Sequence, residues 1–215
     1  MAILSENVVT ELRRRLAGLK NPVKLIAFTQ EMDCQFCQAA RELVGQVATL
    51  SEKFSVAMYD LLKDTEKVNA YGIDKVPAIV VEGEKDSRIR FYGLPSGYEF
   101  GSLLEAANIV SRNNAMLAPE TLEILKPLDR PVHIQVFVTP NCPYCPIVVK
   151  TAHRFAFAKE QIRADMVEST MFPHLTSRYA VMSVPKVVIN ESFSFEGAVP
   201  EKQFAEQVMR AVQGG

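Results

Sequence analysis

The 215-residue chain has no long apolar run, no excess of one charge and no cysteine outside two short pairs. No hydrophobic stretch approaches the ~18 residues that cross a bilayer as a helix, so no membrane partner is expected. Lys and Arg number 24 against 25 Asp and Glu, a net charge of -1. Without a basic excess there is no electrostatic footprint for nucleic acid or an anionic membrane. Partners must be recognised by shape and local chemistry. The opening segment MAILSENVVTELRRRLAGLK carries no long apolar stretch after a basic one and no small-residue cleavage site. No secretory signal is expected, and the location implied is cytoplasmic. Val8, Leu12, Leu16 and Leu19 recur at helical spacing, which predicts a docked amphipathic helix with Arg13, Arg14 and Arg15 on its solvated side. Histidine is scarce and scattered, at positions 133, 153 and 174, and is given no ligand role.

What is present is a repeat. Hydrophobic residues make up 48%, enough for one large domain or two of about 100 residues each. NPVKLIAFTQEMDCQFC begins at Asn21, and RPVHIQVFVTPNCPYC begins at Arg130. Cys34 and Cys37 match Cys142 and Cys145 at an offset of 108. Asp60 falls on Glu168, Tyr71 on Tyr179 and Val76-Pro77 on Val184-Pro185 at the same offset. Gly93 and Phe100 fall on Gly197 and Phe204 at an offset of 104, so the second copy has a shorter hairpin. A duplication explains this, with units at 1–115 and 116–215.

Each unit has one coarse order. VKLIAFT and VHIQVFV are strands rich in Val, Ile and Phe. Helices follow the cysteine pairs, over about 35–50 and 143–159. FSVAMYD and IRADMVE are second strands, and short helices end near Tyr71 and Tyr179. After each Val-Pro comes an antiparallel hairpin, then a closing helix over about 97–112 or 200–212. Pro119 opens a helix that is the counterpart of the N-terminal one. A strand–helix–strand step favours a parallel pair by right-handed crossover. The fold class is therefore α/β, a tandem duplication in which each unit is a mixed β-sheet flanked by helices.

A Cys-x-x-Cys between a strand and a helix has a chemical meaning. Free amides and the macrodipole at a helix start stabilise negative charge. A cysteine there is a usable thiolate at neutral pH. The first thiolate attacks a disulfide, and the second thiol resolves the mixed disulfide. Cys34 and Cys142 are assigned as nucleophiles, Cys37 and Cys145 as resolving thiols. From the residues alone, Pro77 and Pro185 default to trans. A cis bond would turn the backbone of Val76 or Val184 toward the cysteines, where an extended substrate segment could add as a strand.

The two-unit order with CQFC and CPYC resembles the glutaredoxin-like protein disulfide oxidoreductases of thermophilic archaea and bacteria. The resemblance covers nearly the whole chain. It implies a thioredoxin fold in each unit and cis bonds at Pro77 and Pro185. It implies oxidation, reduction or isomerisation of protein disulfides, with electrons from a thioredoxin reductase-like flavoprotein. No cofactor and no metal are assigned; the iron–sulfur binding that the resemblance also allows between two glutaredoxin-type units usually needs glutathione and ranks low. The glycine-rich glutathione segment usual in glutaredoxins is replaced by FYGLPSGYEF and FEGAVPEKQF, so specific glutathione use is not expected. Phe28 and Val136 stand where thioredoxins carry a buried aspartate. The duplicated domain of the alkyl hydroperoxide reductase flavoprotein has similar architecture, but its first unit lacks the cysteine pair. An electron carrier from such a flavoprotein to a peroxiredoxin or other reductive enzyme is the alternative function. A metal site made by all four cysteines ranks below both.

The sites are not expected to be equivalent. Glu31 and Asp33 precede Cys34, whereas Pro140 and Asn141 precede Cys142. Nearby carboxylates disfavour a thiolate, which makes Cys142 the faster nucleophile. Asp60 and Glu168 are expected in strand-end salt bridges, with proton acceptance from the resolving thiols as the other use.

Overall fold

The computed structural model describes residues 6–213; the Val8 side chain lies outside the described residues. The apolar runs form eight strands: β1 (Val23–Thr29), β2 (Phe54–Asp60), β3 (Ala78–Glu82), β4 (Asp86–Tyr92), β5 (Val132–Val138), β6 (Ile162–Glu168), β7 (Lys186–Ile189) and β8 (Phe193–Glu196). They join one sheet in the order β2-β1-β3-β4-β6-β5-β7-β8. Within each half the first two strands are parallel and the hairpin is antiparallel. The halves meet where β4 pairs in parallel with β6, from Ile89 opposite Ala164 to Tyr92 opposite Val167.

That junction explains why equivalent strands have unequal burial. β2 is an outer edge, and its Val56 and Met58 are exposed. Its counterpart β6 has a neighbour on both sides and is buried almost throughout. The same holds for β4 against the edge strand β8.

Side chains alternate between the two faces, as strand geometry requires. Leu25, Ala27, Val136 and Phe91 face the larger core. Ile26, Phe28, Phe137 and Tyr92 face the smaller one. The larger core packs against α1 (Glu6–Leu16), α2 (Cys37–Ala48), α4 (Phe100–Arg112), α5 (Pro119–Leu125), α6 (Cys145–Ala158) and α8 (Glu201–Gln213). α1 docks through Leu12 and Leu16, with Leu19 buried just beyond it, and leaves Arg13 to Arg15 in solvent. The smaller core lies under α3 (Thr65–Tyr71) and α7 (Pro173–Arg178). This is the expected mixed α/β duplication, with helices on both faces.

A buried ionic cluster locks the seam. Asp165 on β6 is fully buried and accepts from His133 Nε2 at 2.6 Å and from Arg163 at 2.9 Å. Arg163 also donates to the Tyr92 hydroxyl and the Gly72 carbonyl of the first half. Burial alone would raise the Asp165 carboxyl. The His133 hydrogen bond and the Arg163 guanidinium outweigh it and hold the group well below the usual carboxylate range.

Candidate active sites

β1, β4, β6 and β5 all run in one direction, so the carboxyl ends of β1 and β5 lie at the same end of the sheet. Each delivers its cysteine pair there, at the start of α2 and α6. Cys34 and Cys37 form one disulfide, and Cys142 and Cys145 the other, each with its Cα atoms 5.5 Å apart. Four strand steps separate β1 from β5, about 19 Å at the usual interstrand spacing. One metal ion cannot bind both pairs across that gap. Each pair is instead closed on itself, which sets aside the four-cysteine metal site.

In each pair the first cysteine is the more exposed residue. Cys34 is half-buried and Cys37 buried. Cys142 retains 8% exposure and Cys145 none. Val76-Pro77 and Val184-Pro185 are cis, unlike the default for their residue type and as the family resemblance implies. Pro77 and Pro185 are buried, and their carbonyls accept from Gly93 and Gly197 N–H, both at 2.9 Å. Val76 and Val184 remain half-buried at the strand mouth. The Val184 carbonyl oxygen lies 3.8 Å from Cys142 Sγ.

Residues 132–210 match the thioredoxin domain family. A protein disulfide oxidoreductase from Aeropyrum pernix superposes with a TM-score of 0.92 at 31% identity, covering 98% of this chain and 94% of that one. The chain belongs to the thioredoxin-fold protein disulfide oxidoreductases. The NTD_N/C domain of alkylhydroperoxide reductase AhpF from Enterococcus faecalis matches with a TM-score of 0.89 at 26% identity, over 95% of this chain and 99% of that one. Among curated relatives, the AhpF alkyl hydroperoxide reductase of Pseudomonas aeruginosa is 23% identical over 206 residues, 96% of this chain and 37% of the relative. The chain spans about a third of the length of the curated relatives it matches. Two closed CxxC pairs in this fold support dithiol–disulfide exchange.

As an oxidoreductase of this fold, the chain carries two sites that are held differently. The Cys145 N–H at the start of α6 donates to Cys142 Sγ at 3.1 Å. The Cys37 N–H goes instead to the Cys34 carbonyl, at 3.4 Å. At the first site it is the resolving sulfur that receives an amide, from Gln30 at 3.3 Å. Glu31 is tied to Lys63 at 3.1 Å, and Asp33 is exposed with a left-handed φ of 56°.

Asp60 and Glu168 do not make the expected salt bridges. Asp60 accepts from the Leu62 and Lys63 amides, and Glu168 from Thr170 and Met171. They cap the loops that leave β2 and β6.

A buried acid lies on the turn that packs against α6. Glu99 ends this short 3-10 turn, Gly97–Glu99. The Tyr98 N–H donates to the Pro140 carbonyl at 3.1 Å, two residues before Cys142. Gly97 has φ +57, and a Cβ there would collide with that carbonyl. Glu99 is 1% exposed, and neither carboxyl oxygen has a hydrogen-bond partner. Burial pushes the group up to about 7, with the Ser102 hydroxyl and the Lys150 ammonium only partly opposing it. The repeat held a clue: Glu99 aligns with Gln203, which is exposed.

Proposed function

We propose that the chain exchanges disulfides with protein substrates through both sites, with Cys34 and Cys142 as nucleophiles and Cys37 and Cys145 as resolving thiols. The observation that carries this is the 3.1 Å hydrogen bond from the helix-start Cys145 amide to Cys142 Sγ. In the reduced protein that amide would stabilise the sulfur anion. The Cys142 thiolate attacks one sulfur of a substrate disulfide and expels the other as a thiolate. The Cys145 thiol loses its proton, attacks Cys142 Sγ and releases the second substrate thiol. Two electrons pass to the substrate, and the enzyme ends as the disulfide. The reverse sequence oxidises a dithiol. Val76, Pro77, Val184 and Pro185 form the edges on which an extended substrate segment lies.

The units 1–115 and 116–215 each supply one complete pair. The duplicated order of elements and the single β4–β6 seam support that division. The likeness to AhpF favours a second use, as a carrier of electrons from a thioredoxin reductase-like flavoprotein to a peroxiredoxin in the cytoplasm. Insulin reduction and scrambled-ribonuclease refolding test the first reading. Activity in both, lost when all four cysteines become serine, is expected. Inactivity of the intact protein in both would refute it.

A further inference from the structure

The sheet ends in β2 on one side and β8 on the other, and these are the two kinds of strand that the seam joins. β6 is the repeat counterpart of β2 at an offset of 108, and β4 is that of β8 at 104. The β4–β6 pair therefore shows how a strand of the β8 kind receives one of the β2 kind. Moved by those offsets, the seam register sets Phe193 opposite Val56 and Ser194 opposite Ala57. It sets Phe195 opposite Met58 and Glu196 opposite Tyr59. β2 and β8 run in the same direction, so this pairing is parallel, as it is at the seam.

β2 lacks the usual protection of an edge. Edge strands are blunted by lysine, proline, bulges or shortness, because their free N–H and C=O groups invite another strand. β2 is seven residues long, with no basic residue or proline between Lys53 and Asp60. Val56 and Met58 are exposed beside Leu25 and Ala27, on the face of the larger core. Their counterparts at the seam, Ala164 and Met166, are fully buried. The glycines after the two hairpins show the same contrast. A Cβ at Gly93 would lie 2.7 Å from Glu168 Cβ across the seam, whereas at Gly197 it would meet none of the described residues within 4 Å.

The helix layer and the charges are compatible with the same pairing. The seam joins α4 to α6 through Glu105 and Arg154 at 2.7 Å. The equivalent residues on α8 and α2 are Met209 and Gln46, which carry no charge into the contact. Glu196 is engaged by Ser183 at 2.6 Å and Lys186 at 3.5 Å. Asp60 and Asp64 accept from amides of their own loop.

We propose that β2 and β8 form a self-association surface, in which β8 of one copy adds in parallel to β2 of a second copy and repeats the β4–β6 seam between chains. Val56 and Met58 are then covered by Phe193 and Phe195 of the neighbouring copy. Such a contact is heterologous and leaves one free edge of each kind, so assembly continues at high concentration. The contact is small and correspondingly weak. Every CxxC pair in the assembly stands at one end of a continuous sheet. The step from β5 through β8 and β2 to the next β1 is four strands, the same as from β1 to β5 within one chain.

Sedimentation of the full chain tests this, with both disulfides closed and non-reducing electrophoresis showing no covalent dimer. The weight-average mass should rise by about twofold or more above 24.0 kDa between micromolar and millimolar protein. Val56→Lys on β2 and Ser194→Lys on β8, both at exposed positions, should each stay monomeric. Circular dichroism and urea unfolding like those of the wild type establish that both variants fold. An equimolar mixture of the two should recover a dimer and stop there, because one partner keeps an intact β8 and the other an intact β2. A wild type that is monomeric throughout, association untouched by either variant, or a mixture that stays monomeric would overturn the proposal. So would a Ser194→Lys variant that still dimerises while Val56→Lys does not, since that pattern means β2 pairs with β2.

Discussion

Replacing Glu99 by Gln should make the protein more stable at neutral and alkaline pH. Burial of the carboxyl lifts its pKa from the ordinary 4.5 to about 7, with Ser102 and Lys150 only partly opposing it. Below pH 4.5 both folded and unfolded chains hold the proton, and the group makes no pH-dependent contribution. Between 4.5 and about 7 the unfolded chain ionises while the folded one keeps its proton. Stability then falls as pH rises, because the folded state binds more protons. Above about pH 7 the loss is complete. At about 1.4 kcal/mol per pH unit the interval amounts to roughly 3 kcal/mol. Gln has the same shape and never ionises, so this component of the pH slope should vanish. Urea unfolding of wild type and Glu99→Gln at pH 5 and pH 8 measures it. The gap between the two proteins should widen in favour of Gln by about 2–3 kcal/mol at pH 8. A pH slope identical in the two proteins would refute the assignment of Glu99 as a buried acid.

Further expectations follow from the same geometry. Iodoacetamide should alkylate Cys142 about three- to tenfold faster than Cys34 near pH 6, measured on Cys34→Ser and Cys142→Ser variants, because only Cys142 receives a helix-start amide; equal rates would remove the asymmetry. His153 is buried against the Phe91 ring at 4.7 Å, and burial lowers its pKa to about 3. The unfolded chain therefore takes up a proton near pH 6.5 that the folded one refuses, and stability falls as pH drops below that. His153→Phe should lose less stability than wild type between pH 6.5 and 4 in urea titrations. Asp165→Asn would take the buried carboxylate away from the half-buried Arg163 and from His133 at the seam, and should cost about 1–3 kcal/mol by chemical denaturation. Gly97→Ala forces a side chain into a left-handed φ and against Pro140, and should cost about 1–3 kcal/mol. It should also slow the second site more than the first.

The two-unit architecture was legible because it is written twice. The strands at 23–29 and 132–138 show the same apolar runs before the same cysteine spacing, and the helix and hairpin signals recur behind them. The joining of β4 to β6 was not legible. RIRFY and IRADMVE look like ordinary half-covered strands, and nothing local says that each will find a neighbour from the other half. Arg90, Arg163 and Asp165 read as surface charges for the same reason. Arg90 and Asp165 are buried, and Arg163 half-buried, where the seam covers them, and they pair with Asp86, His133 and one another. The cysteines and the Val-Pro pairs announced themselves through spacing. The burial of Glu99 did not, since Glu99 lies 43 residues before Cys142 on a turn of the other unit that packs against α6. The carboxylates that spacing did offer, Asp60 and Glu168, are occupied by loop amides.

The most direct test traps the first step of exchange. The full chain with Cys37→Ser and Cys145→Ser keeps both nucleophiles and removes both resolving thiols. Incubated with native insulin and analysed by peptide mass spectrometry, it should carry insulin chains in mixed disulfides at Cys34 and at Cys142, with Cys142 labelled first. Recovery of both cysteines as free thiols under those conditions would contradict the account.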